Sequence, residues 1–158
     1  MDPLCSSAES APRACGECGA AGHYASTCPV VAGEDLLTMG PLKVISDGSL
    51  NTLTAWCCEP YAPDGGDDGG CGRSNLTAAE LREVMSRAGD IGLTCAIHAI
   101  GDRAVATALD AFSATRQGGS IEHAQLVGAA DFERLAALGL TASVQPVHLI
   151  DDRLVTDR

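Results

Sequence analysis

The chain has 158 residues, 46% of them hydrophobic and 20% charged, a balance that fits one globular domain with a sizeable core. It carries 10 Lys and Arg against 21 Asp and Glu, a formal charge of -11, and only 3% of its residues are aromatic, which excludes the basic, ring-bearing surface that nucleic acids require. No run reaches the roughly 18 apolar residues needed to cross a bilayer, and the N-terminal stretch lacks the basic start and apolar middle of a signal peptide. The expectation is a cytoplasmic protein acting on a small molecule, with its 8 cysteines present as free thiols or metal ligands.

Residues 1–34 are rich in Ala, Gly, Ser, Pro and Cys without apolar periodicity, and read as a loop-like arm. Within the arm, Cys15, Cys18, His23 and Cys28 have the spacing C-x2-C-x4-H-x4-C, which resembles a CCHC zinc knuckle and could close one tetrahedral zinc site. Nucleic-acid binding is not expected from it. Arg13 is the arm's only basic residue, and Gly16 stands where an aromatic residue usually follows the first cysteine, leaving Tyr24 alone for base stacking.

From about Leu36 the texture changes, and residues 36–158 read as the main domain. An apolar run over 42–45, bounded by Pro41 and Asp47-Gly48, predicts a buried strand ending in a turn. Residues 56–74 are dense in Gly, Pro and Asp and predict a long loop, in which Cys57 and Cys58 adjoin without an assigned role. Thr77 and Glu80 form a capping box, and Leu81, Val84, Met85, Ala88 and Ile91 recur at helical spacing up to Gly92. "LTCAIHAIG" predicts a second strand, residues 102–113 a helix with Val105, Leu109 and Phe112 inward, and "SIEHAQ" a third strand. A third helix is expected over 130–138, burying Phe132 and Leu135, and "GLTASVQPVHL" reads as a fourth strand.

Strands alternating with helices imply a parallel sheet, either open and doubly wound or part of a closed barrel. His98, His123 and His148 fall 25 residues apart, one βα unit each, at the carboxyl ends of predicted strands. Parallel strands set such positions side by side on one rim, where barrel enzymes keep their chemistry. Any single histidine is more often a satisfied core or loop residue, but three at equal phase favour imidazoles gathered there to bind a divalent ion. Glu122 and Asp102 are candidates for orienting the rings from outside the ligand set, and Asp102 equally suits a helix start. Lys43, inside an apolar strand, either snorkels to the rim or does chemistry at a depressed pKa.

The segments "GPLKVISDGSL", "CAIHAIGDRA", "SIEHAQLV" and "ASVQPVHLIDD", in this order and at these intervals, resemble amidohydrolase family 3, the YtcJ-like group. The resemblance covers about residues 36–158. It implies a (β/α)8 barrel hydrolase with one or two divalent metals, usually zinc, cleaving amide-like carbon-nitrogen bonds with a metal-activated water. By position it implies Lys43 as a carboxylated bridging ligand on strand four, His98 as the ligand on strand five and His123 as the ligand on strand six. His148, after strand seven, would touch substrate.

The sequence departs from the family pattern in lacking the H-x-H pair of the first barrel strand and the late aspartate that shuttles the proton. A full barrel typically needs about 250 residues, so the expectation is a partial barrel of strands four to seven, with no catalytic proton shuttle identified. Unpaired strand edges then favour oligomerisation or a partner that supplies the missing strands. A zinc-knuckle binding module fused to an inactive barrel remnant is the alternative reading.

Overall fold

Among the described residues, four short apolar runs, each followed by a stretch of helical periodicity, produce four strands and four helices in strict alternation. The computed structural model describes residues 39–61 and 70–156. In chain order the elements are β1 (Leu42–Ile45), α1 (Ala78–Asp90), β2 (Cys95–Ala99), α2 (Asp102–Thr115), β3 (Gly119–His123), α3 (Ala129–Ala137), β4 (Thr141–Ser143) and α4 (His148–Thr156). Pro41 to Arg158 form one unit. Among the described residues no helix is long and apolar enough to cross a membrane.

The strands lie in the sheet in sequence order, β1-β2-β3-β4, and every neighbouring pair is parallel. A doubly wound sheet reverses its strand order at a switch point. These four strands do not reverse, so their crossover helices gather on one face, as in a barrel wall. The core confirms the one-sided arrangement. Val44, Cys95, Ile97 and Ile121, in successive strands, join Leu81, Met85, Val105, Leu109, Phe112 and Leu135 of the helices in a single cluster. Fully burying side chains such as Phe112, Leu109 and Ile97 contributes about 1.5–3 kcal/mol each.

Alternation along the strands puts the complementary residues on the other face. Lys43, Ala96, Ser120 and Thr141 are aligned across the ladder, and one step toward the carboxyl ends come Ile45, His98, Glu122 and Ser143. This open face bears the candidate site.

Three sequence expectations need correction. Ile91 and Phe132 are exposed, not inward. Ile91 caps α1 beyond the last turn that packs, and α3 rests on the core through Leu135 instead of Phe132. The predicted fourth strand ends at Ser143. A turn around Pro146 follows it, and His148 opens a helix instead of closing a strand. The helix follows because Pro146 can give no ladder N–H, while its carbonyl and that of Gln145 accept the first turn bonds, from Leu149 N and His148 N. Cys15, Cys18, His23 and Cys28 lie outside the described residues, as does the arm over residues 1–34.

Candidate functional site

Strand β1 delivers Lys43 to the open face and then runs into Ser46 and Asp47, both buried. Ser46 ties the strand end to β2, since its N–H and its hydroxyl both donate to His98 O, at 3.1 and 2.5 Å. Asn75 clamps the same corner through its side-chain amide, which donates to Asp47 O at 3.1 Å and Ile45 O at 3.3 Å.

Asp47, 1% exposed, is the electrostatic centre of the corner. Its carboxylate accepts from the amides of Trp56 at 3.0 Å, Ile100 at 3.1 Å and Gly101 at 2.9 Å. A buried carboxylate survives only with such a set of donors. The same carboxylate lies 3.3 Å from His98 Nε2, and Gly48 O lies 3.0 Å from that nitrogen. Both neighbours are acceptors, so Nε2 carries the hydrogen and, in the neutral ring, the lone pair sits on Nδ1. The Asp47 carboxylate pushes the His98 imidazole above its ordinary range, against the opposing effect of burial.

His123 reaches the same place by a different route. It pairs in register with Ala99, which faces the helices, so strict alternation would turn its ring away from His98. Instead His123 and Ala124 adopt left-handed φ values of 73° and 44°. This conformation costs a non-glycine residue about 1–2 kcal/mol, and residues held in it gather at functional sites. The consequence is a row of imidazoles on the open face: ring centroids are 4.7 Å apart from His98 to His123 and 5.4 Å from His123 to His148, each pair edge-on. His123 Nδ1 is buried and has no hydrogen-bond partner. Burial pulls the His123 imidazole below its ordinary range, and the positive fields of His98, Lys43 and His148 add to the effect.

The row thus contains His98, His123 and His148, with Lys43 close enough to act on the first two. Glu122 takes a hydrogen bond from Ser120 Oγ at 2.5 Å, which holds its carboxyl below the usual carboxylate range. Among the described residues Asp102 makes no hydrogen bond or ion pair with His98. It starts α2 and accepts from the amides of Cys58 at 2.8 Å and Arg103 at 2.9 Å, pinning the loop to the helix, and the carboxylate beside the His98 ring is that of Asp47. His148 is positioned by α4, which a buried Asp152 secures by accepting from Gln125 Nε2 at 2.7 Å. The sequence reading did not single out Asp47, Gln125 or Asp152; the only signal for Asp47 was a carboxylate directly after a buried strand.

An orphaned imidazole nitrogen beside a second imidazole with its lone pair fixed suits a divalent cation. Among the described residues, no three His, Cys, Asp or Glu side chains converge closely enough to hold an ion by themselves. The histidines would therefore supply part of a coordination shell, and Lys43 is the other candidate on this face.

Known proteins bear on the arrangement. A family model described as "Amidohydrolase family" matches residues 11–158, a span that includes Cys15, Cys18, His23 and Cys28. The Arabidopsis thaliana protein LONG AFTER FAR-RED 3 is 33% identical over 73% of this chain and 21% of its own length. The putative amidohydrolase YtcJ of Bacillus subtilis is 29% identical over 72% of this chain and 22% of its own. Crystal structures of uncharacterized metal-dependent hydrolases from Pyrococcus furiosus and Pyrococcus horikoshii superpose with TM-scores of 0.70 and 0.71, at 38% and 39% identity, over 77% and 78% of this chain. The chain spans about a quarter of the length of each of those two structures. With a match that takes in nearly all its residues, the chain belongs to the amidohydrolase family.

Proposed function

We propose that the chain is the strand-four-to-seven part of a (β/α)8 amidohydrolase barrel. Its Lys43, His98, His123 and His148 then belong to a face that hydrolyses an amide-like carbon-nitrogen bond in a small molecule with the help of a divalent metal such as zinc. The observation that carries the reading is the left-handed turn of His123, which sets a nitrogen without a protein partner beside His98. Strained, partnerless polar groups of this kind are retained where a ligand satisfies them. The outer edges of β1 and β4 have no ladder partner among the described residues, and in a barrel the remaining strands would pair with them.

Lys43, His98 and His123 would hold the cation, Lys43 through a carbamate formed on its amine. Such an ion, when bound, brings the pKa of water to about 7 and polarises a carbonyl. The side chains prepare the site in distinct ways. His98 is fixed with Nε2 protonated, which leaves Nδ1 as its donor. His123 stays neutral near pH 7 because burial disfavours its charged form. Glu122, ionised and aligned by Ser120, adds negative charge on the same face and thereby favours a cation there. His148, partly buried at the start of α4 on the far side of His123, is placed to contact substrate.

Metal content tests the reading. Purified chain should bind zinc or cobalt, lose it in the His98→Ala, His123→Ala double variant, and keep it when residues 1–34 are removed. Metal that disappears with residues 1–34 and persists in the double variant refutes the proposed site and favours the Cys15, Cys18, His23, Cys28 cluster.

A further inference from the structure

The metal-site reading leaves one group on the open-face corner without an assignment: the Asp47 carboxylate, fully buried and touching the site through a single ring nitrogen. We propose that Asp47 is a positioning residue for His98, fixing both the tautomer and the rotation of the imidazole and joining it to the 47–56 loop. The value of this placement for catalysis rests on His98 being a ligand, whereas the positioning itself is a property of the metal-free chain.

Three features carry the inference. Asp47 is held from two sides, by the Trp56 amide of the loop and by the Ile100 and Gly101 amides that directly follow β2, so the carboxylate cannot move without unlatching the segment that carries His98. It meets Nε2 in company with Gly48 O, the carbonyl of the next residue, so that two acceptors fixed in one stretch of backbone confront one nitrogen. Rotating the ring by half a turn would present a C–H or an unprotonated nitrogen to those oxygens and deprive both of the imidazole N–H. The Nε2–H bonds Gly48 O, and the Asp47 carboxylate, 3.3 Å from the same nitrogen, adds a charge attraction that the carbonyl alone does not supply. Asn75 provides the contrast: it bonds the backbone carbonyl of Asp47 and supports the same corner without touching the carboxylate or the ring.

The test reads the ring directly in metal-free, nitrogen-15-labelled full chain, with the His98 signals assigned from a His98→Asn spectrum. In the wild type the neutral His98 ring should be a single tautomer with Nε2 protonated and that proton protected from exchange. In Asp47→Asn the tautomer ratio should fall roughly tenfold, and cobalt affinity should fall about 10–100-fold. Asn75→Ala should lower stability while leaving the ring signature as in the wild type, a pattern that a purely structural role for Asp47 would not give. An Asp47→Asn ring indistinguishable from wild type overturns the proposal, as does a wild-type ring that is mixed or protonated at Nδ1. If the ring behaves as expected but the wild type binds no cobalt, the positioning role stands and the metal reading fails. Should Asp47→Asn not fold, the wild-type spectrum still decides, because a protected Nε2–H in one tautomer supports the proposal and any other state refutes it.

Discussion

Gly101 occupies the junction between β2 and α2, and a methyl group added there would have nowhere to go. Its backbone is unexceptional, with φ at -70°, so Gly101→Ala introduces no torsional strain. The difficulty is space: the new Cβ would lie 2.0 Å from Trp56 O and 2.3 Å from Trp56 C, atoms of the main chain that cannot rotate aside. The loop must therefore lift. Lifting it stretches two hydrogen bonds, Ala104 N to Trp56 O at 3.2 Å and Trp56 N to Asp47 Oδ2 at 3.0 Å. Overpacking costs about 1–3 kcal/mol and a hydrogen bond to a charged group about 1.5–3 kcal/mol, so a total near 3–5 kcal/mol is expected, a large fraction of a typical domain stability. For a domain of this size that corresponds to a fall in Tm of roughly 10–20 °C. Urea and thermal unfolding followed by circular dichroism measure it, with Gly118→Ala as the control, since a Cβ at Gly118 meets nothing within 4 Å. The control should stay within about 0.5 kcal/mol of the parent. A Gly101→Ala loss below about 1 kcal/mol would show that the Trp56 backbone does not rest on Gly101, and the loop-to-strand latch described above would be wrong.

The imidazole row also makes stability depend on pH in two opposed directions. His98, raised by Asp47, contributes stability that is complete below its unfolded value near 6.5 and is lost as pH rises through the folded value; His123, lowered by burial, subtracts stability as pH falls below about 6.5. The pair should give a local stability maximum near pH 6.5 in urea titrations, with His123→Gln flattening the acid limb and His98→Asn the alkaline limb; an unaltered acid limb in His123→Gln would refute the assignment. Asp152→Ala should cost about 1–3 kcal/mol and speed hydrogen exchange across His148–Thr156 while leaving β1 to β3 protected, because Gln125 is the partner that holds Asp152. On α3, Leu135→Ala should cost about 2–5 kcal/mol and Phe132→Ala under about 0.5 kcal/mol, a contrast that denaturant midpoints resolve and that equal losses would contradict.

The elements that could be read from sequence are those whose cause is local. The capping box at Thr77 and Glu80 is present in full, because each side chain bonds the other's backbone three residues away. β1 lies at Leu42–Ile45 as expected, because Pro41 and the Asp47-Gly48 turn bracket its apolar run, but it is not the buried strand expected, since Val44 alone is buried and Ile45 is exposed. What failed required knowledge of neighbours. Periodicity identifies an apolar stripe but not which turns of the helix lie over the sheet, so it includes Ile91 and Phe132, which do not reach the core. The run from 144 to 150 is apolar enough to read as strand, and only the exposure of Val144, Val147, Leu149 and Ile150 shows that its apolar side chains lie outside the core. In sequence Asp47 is legible only as half of a turn, because partners of its carboxylate lie 53 and 54 residues away, at Ile100 and Gly101.

His123 is the instructive case, because its ring lies beside that of His98 for a reason the spacing does not contain. Equal spacing of three histidines suggested equal positions on successive strands, yet the ladder pairs His123 with Ala99 and His98 with Glu122, one residue out of phase, and His148 begins a helix. Had the backbone stayed extended, Glu122 alone would have stood beside His98 and the His123 ring would have pressed into the helix-facing core. The left-handed residues at 123 and 124 reverse that outcome, at a conformational cost that the surrounding fold must offset. Two structural devices therefore converge on the same pair of rings: the Asp47 carboxylate and the Gly48 carbonyl face one nitrogen of His98, and backbone strain turns His123 toward it. The spacing records where the rings meet, while the buried carboxylate and the strained turn explain how they are held there.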